Sequence, residues 1–319
     1  MGELLINCLY AAAGALLWAI FSRIYRKTIR FRFKRVFGQD ADRSGGVCIV
    51  SGALALPQVY DADGKLLPYP YFKPQISSRS TPYTFLVSNP IGASVFRGAN
   101  YFSTAFASVG AGSPALLSDE TIENSTSPLD RSFVSLGGHN NYKTIDTLEE
   151  QTNHFVSMTH DVFFEKSDKD KKPLFTKQDG YDYGLILRLR PHNHTNRVWI
   201  VCAGFGEWGT SGAAWYLANR WKKLLKANKS IWMSILHPSS FFKGRDFATI
   251  VKVKPGYDES AEPILHFRHS KDVKRAVEKH QILLKSHEIT NKADSQLSSS
   301  SSKSSSSSSA SGTSSSSKR

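Results

Sequence analysis

The sequence predicts an α/β fold, a mixed sheet with flanking helices, preceded by one N-terminal transmembrane helix. Three observations lead there. Apolar runs of strand length alternate with segments of helical spacing from Val47 onward, the pattern of a layered α/β domain. One run, Arg197–Ala203, passes through the glycine-rich turn Gly204–Phe205–Gly206–Glu207–Trp208–Gly209 into a helical segment. The chain also begins with an uncharged apolar stretch, Leu4–Phe21, followed by seven cations between Arg23 and Arg35.

The elements follow in order. At 1.5 Å per residue Leu4–Phe21 reaches ~27 Å, near the ~30 Å of a bilayer core. No basic residue precedes it, so it lacks the charged start of a cleavable leader. With the cations behind it, the positive-inside rule puts the C-terminal domain in the cytoplasm. The expected organisation is an anchor over 1–25, a basic juxtamembrane linker over 26–45, an α/β domain over 46–290 and a disordered serine-rich tail over 291–319.

Val47–Leu56 reads as a first buried strand, and Pro57 to Pro90 as a Pro-, Tyr- and Ser-rich loop. Ala93–Val109 reads as a tightly packed helix. Ala115–Leu117 and Ser132–Leu136 read as short strands, and Thr144–Gln151 as a helix. His154–Phe164 and Tyr183–Arg190 follow as strands. Tyr183–Arg190 is expected to pair with Arg197–Ala203 as a hairpin across the polar loop between them. Thr210 can N-cap the next helix, whose Ala213, Ala214, Leu217, Trp221, Leu224 and Leu225 recur at helical spacing. Ser230–Leu236, Ala248–Val253 and Pro263–Phe267 are the last expected strands, and Lys271–Glu288 a surface helix.

The net charge of +14 over 319 residues suggests nucleic acid only until it is placed along the chain. Between Val36 and Arg268 the balance is about +3; the rest lies in the two ends. Charge confined to the ends suits a membrane surface or a solvated tail, and no nucleic-acid partner is expected. Cys8, Cys48 and Cys202 form no pair with redox or metal-ligand spacing, which fits a reducing compartment. His192 with His194, and His266 with His269, lack a third ligand, so no metal site is expected.

Chemistry concentrates in two loops. Gly204, Gly206 and Gly209 satisfy G-x-G-x-x-G between a strand and a helix, where glycines let a pyrophosphate approach the backbone and helix N-terminus. The acidic residue expected about 20 positions on, which would hold a ribose hydroxyl, is missing from Lys226–Ser234. Gly137–Gly138–His139–Asn140–Asn141 is the second loop, again between a strand and a helix, with Lys143 and Thr144 behind it. Its glycines and amides can hold phosphate or ribose. The two loops are expected to line one crevice at strand C-terminal ends. Candidate ligand-binding residues are Gly137, Gly138, Asn140, Asn141, Gly204, Gly206, Gly209 and Thr210. Glu207, Asp182 and Glu149 are the candidate catalytic carboxylates.

Ser135–Asn141, Tyr181–Ile186 and Ala203–Ala214 together resemble a group of poorly characterised, mostly bacterial Rossmann-like proteins. Those carry a Gly-Gly-Pro-type loop ending in Asn, an Asp-Tyr-Gly-Leu strand and a glycine loop ending in Gly-Thr. The likeness covers about residues 45–240, and His139 stands where the pattern has Pro. It implies a nucleotide-type fold, with a nucleotide as possible cofactor, and a signalling or defence role. The functions expected are therefore a membrane-tethered nucleotide-binding sensor or effector, a hydrolase cleaving a glycosidic or phosphate bond of a nucleotide, or a non-catalytic interaction module at the membrane.

Overall fold

The computed structural model describes residues 2–52, 92–159, 162–166, 173–177, 180–226, 246–268, 271–275 and 278. The loop expected over Pro57–Pro90, the strand at Ser230–Leu236, most of the Lys271–Glu288 helix and the serine-rich tail fall outside them.

A seven-stranded mixed sheet in the order β10-β9-β7-β8-β3-β1-β2 forms the centre. Its strands are β1 (Val47–Ser51), β2 (Ala115–Ser118), β3 (Ser132–Leu136), β7 (Asp182–Leu189), β8 (Trp199–Gly204), β9 (Phe247–Lys254) and β10 (Tyr257–Phe267). β2, β1, β3 and β8 run parallel. β7 pairs antiparallel with β8, the hairpin the sequence predicts, and with β9. β9 turns tightly into β10 through Gly256 at φ 91°. β4 (Val156–Met158), β5 (Val162–Glu165) and β6 (Pro173–Thr176) form a second, three-stranded sheet.

Side-chain alternation along the strands builds two layers. Val134, Leu136, Ile186, Ile200, Cys202 and Val251 pack with helices α1 (Gly2–Phe37), α2 (Ala93–Val109) and α5 (Glu207–Lys226). Leu185, Leu187, Val201, Ala203 and Ile250 pack on the opposite face with the small sheet and with Leu148 of α4 (Tyr142–Glu149). Beside β2, α3 (Asp119–Glu123) adds Ile122 to a third cluster with Phe133 and Trp199. Helix α2 has the bounds the sequence predicts, and it ends on Gly110 in the left-handed conformation, φ 64°.

The single-pass membrane anchor is not supported. Among the described residues no helix is long and apolar enough to cross a membrane. The basic stretch is no linker either. It continues the same helix, and Phe33, Val36 and Phe37 at its end are buried against Phe102, Phe106 and Trp221. Arg188 of β7, fully buried, donates from Nε to the Val36 carbonyl at 2.8 Å and from Nη1 to Asp246 at 3.1 Å. Burial pushes its pKa down to about 10 against the opposing pull of Asp246. The membrane-tethered functions, and the cytoplasmic placement that follows from a span, lose their basis.

His266 of β10 gives the fold a pH dependence. Its Nδ1–H donates to Thr249 Oγ1 at 2.7 Å, and its Nε2 accepts from Arg268 Nε at 3.0 Å. Burial, then the Arg268 charge, lower its pKa from 6.5 to about 4, with Asp272 opposing. Below pH 6.5 the unfolded chain takes up a proton that the folded chain refuses. Stability is therefore complete above pH 6.5 and falls by about 3 kcal/mol on the way down to pH 4. His266→Gln should flatten the urea midpoint across this window; a wild-type midpoint already flat there would disprove the effect.

Candidate functional site

Three parallel strands, β1, β3 and β8, end on the same edge of the sheet. The next described element after β1 is α2, on one face; after β3 the chain enters α4 on the other. The side chain of Ser135, opposite in sense to Val134 and Leu136, meets Thr144 of α4 at 2.8 Å. Helices leaving adjacent strands toward opposite faces open a crevice at the strand ends. It has a volume of about 270 Å³. Val95, Leu136, Met158 and Phe205 give it an apolar side, and Ser94, His139, Asn140 and Glu207 a polar one.

Gly137, Gly138, Asn140, Asn141, Gly204, Gly206 and Thr210 all line this crevice; Gly209 does not. The two predicted loops thus meet, but their polar groups differ in what is left for a ligand. Gly137, at φ 114°, has open space where a Cβ would stand, and Gly138 meets only Met158 Cε at 3.8 Å. Gly52, at the end of β1, carries the loop: a Cβ there would lie 2.5 Å from the Asn140 carbonyl. Asn141 is buried and structural. Its Oδ1 accepts from Lys143 N–H as the N-cap of α4, and its Nδ2 donates to Val50 and Leu136 carbonyls, both at 3.1 Å. Thr210 is likewise engaged. Its hydroxyl accepts from Gly204 N–H at 3.0 Å and donates to the Gly206 carbonyl at 3.3 Å. Thr210 therefore sits inside α5 and is not its N-cap, since the helix begins at Glu207.

The N-terminus of α5 is closed by a carboxylate of the protein itself. Asp182 Oδ2 accepts from Gly209 N–H at 2.7 Å, and Oδ1 from Gly206 N–H at 3.1 Å and Tyr183 N–H at 2.8 Å. The site that helix amides and dipole prepare for an anion holds Asp182, which is 6% exposed. Asp182 is therefore a cap and not a catalytic base. Close packing accounts for the glycines: a Cβ on Gly206 would stand 2.6 Å from Asp182, and one on Gly204 2.3 Å from Thr210 N. Glu149 is also corrected. It lies exposed at the far end of α4 and does not line the crevice. Lys143, fully buried, is paired with Glu123 and with Asp146 at 2.8 Å and does not line the crevice.

Glu207 is the candidate carboxylate that reaches the crevice. Its Oε1 pairs with Arg97 Nη1 at 2.9 Å. Arg97 also donates to Asp258 at 3.1 Å and Ser211 at 3.1 Å, and lies 4.2 Å over the Trp208 ring. Tyr101 donates to the same Asp258 at 2.9 Å, and burial together with that carboxylate pushes its pKa up to about 12.

Sequence reasoning missed Gly92, Ser94 and Val95, which bring the N-terminus of α2 to the crevice. Its N-cap, Gly92, supplies no side-chain acceptor, so this helix start differs from those of α4 and α5. The signal is hard to find because residues 53–91 separate α2 from β1.

Fold and crevice define an α/β protein with a polar, glycine-walled cleft at the ends of parallel strands. No protein-family model, no curated protein and no solved structure matches the chain.

Proposed function

We propose that this protein is a Rossmann-like binding protein for a nucleotide or related phosphorylated ligand, held in the crevice at the ends of β1, β3 and β8. The observation that carries the reading is the meeting of both glycine loops and the start of α2, whose N-cap Gly92 has no side chain to offer, around one cleft. Backbone at Gly137 and Gly138 allows close approach, and the α2 N-terminus with the Ser94 hydroxyl favours a phosphate. An apolar side facing a polar one suits a ring system with a polar tail. Binding is favoured over cleavage because, of the three candidate bases, Glu207 alone stands at the cleft.

Gly138→Leu tests this with little risk to the fold, since the space around its Cβ is open. The variant should unfold within about 2 °C of wild type. In thermal-shift titrations with AMP, ATP, NAD and cyclic nucleotides, wild type should be stabilised by at least one ligand and the variant by none. Unchanged ligand response in Gly138→Leu would remove the crevice as the site. Ligand consumption by wild type that is lost in Glu207→Gln would replace binding with cleavage.

A further inference from the structure

We propose that the exposed part of α1, from Leu9 to Arg32, docks on the surface of one leaflet of an anionic lipid bilayer. The helix divides along its length. Phe33, Val36 and Phe37 at its end are core. Leu9 to Phe21 are exposed without a break and include no charged residue. Leu17 is 68% exposed, Trp18 71% and Phe21 64%. Tyr10, Trp18, Phe21 and Tyr25, each more than half exposed, by themselves offer on the order of 500 Å². The whole sleeve therefore exceeds the ~300–600 Å² of the largest apolar patch on an ordinary monomer, and patches of that size mark contact surfaces. Its apolar residues point to every side of the helix.

Two further observations say what covers the sleeve. The first is charge. Arg23, Arg26, Lys27, Arg30 and Arg32 follow it directly and are exposed. Trp221 of α5 packs on Phe33 at 5.3 Å and so sets Arg220, Lys222 and Lys223, also exposed, beside the root of α1. The second is a groove between α1 and the end of α2, about 420 Å³ in volume. Trp18, Phe21, Tyr25, Ile29 and Val109 give it apolar walls, and Arg26 joins the lining. An apolar trough with a guanidinium beside it matches an acyl chain joined to an anionic headgroup. A lipid surface supplies both parts in the right order, an apolar matrix around the sleeve and an anionic layer at the cations. A second copy of the chain would cover one face of the helix, leave the others in water and bring no anionic layer. Among the described residues no helix is long and apolar enough to cross a membrane, so the contact is with a surface and includes no span.

Co-sedimentation of the full chain should compare vesicles of pure phosphatidylcholine with vesicles of equal parts phosphatidylcholine and phosphatidylglycerol. Each cation at an anionic surface strengthens binding about fivefold. Wild type should therefore bind the mixed vesicles about a hundredfold tighter than the neutral ones, and added salt should weaken that binding. The triple variant Arg23→Gln, Arg26→Gln, Lys27→Gln should lose most of the preference. Trp18→Ser with Phe21→Ser should weaken binding to the mixed vesicles about tenfold or more. Both variants should keep the wild-type urea midpoint, because the changed side chains are exposed. Equal binding to the two kinds of vesicle, or wild-type binding by either variant, would overturn the proposal. So would a chain that ignores both vesicles, and one that did so while sedimenting as a dimer or larger would assign the sleeve to a second copy.

Discussion

Asp182→Leu is expected to cost about 4 kcal/mol or more of folding stability, enough to shift or abolish the cooperative urea transition. The carboxylate accepts three backbone N–H groups, from Tyr183, Gly206 and Gly209. Leu keeps the volume and removes every acceptor. Each buried N–H left unpaired costs about 1–3 kcal/mol, more where the partner was charged. The folded state of an ordinary domain is only about 5–15 kcal/mol below the unfolded. Asp182→Asn retains one carbonyl oxygen and should lose roughly half as much. A catalytic aspartate behaves the other way, since its amide variant keeps the fold and loses turnover. Wild-type urea midpoints for both variants would refute the cap and restore Asp182 as a candidate base.

That outcome bears on what a sequence can show. The strand–glycine–helix pattern at Val198–Ala214 was legible, because strand burial, glycines and helical periodicity are all local. Its meaning was not. The acceptor that fills the helix start lies 24 and 27 residues from the amides it binds, and a contact across the sheet leaves no local trace. Gly206 and Gly209 look the same in sequence whether a phosphate or an aspartate approaches them. The N-terminal helix misled for a related reason. Hydropathy over Leu4–Phe21 and the cations after it suggest a span and its flank. Phe33, Val36 and Phe37, at core spacing inside the basic stretch, are instead the buried end of α1. Strand β10 was only partly visible, because an edge strand with Asp258, Glu259 and Glu262 lacks a buried strand's apolar run. The meeting of the two loops was foreseeable because parallel strands deliver their C-terminal ends to one edge.

Gly184→Val should be the most damaging of the glycine substitutions, and it separates packing from ligand contact. A Cβ at Gly184 would lie 2.1 Å from the Gly209 carbonyl oxygen and 2.9 Å from Ala213 Cβ. Reciprocally, a Cβ at Gly209 would lie 2.2 Å from the Tyr183 carbonyl oxygen. β7 and the first turn of α5 therefore touch backbone to backbone, and neither side has room for a side chain. Valine can enter only if α5 lifts, yet α5 buries Ala213, Ala214, Leu217, Trp221 and Leu224 in the larger core. Overpacking costs ~1–3 kcal/mol where neighbours can move. Here the neighbour is backbone, and the same shift breaks the Asp182 cap, so the expected loss is above about 4 kcal/mol. Gly184→Ala should lose about 2–3 kcal/mol, whereas Gly138→Ala, in open space, should change the midpoint little. If Gly184→Val unfolded at the wild-type midpoint, the close approach would not be what this glycine is for.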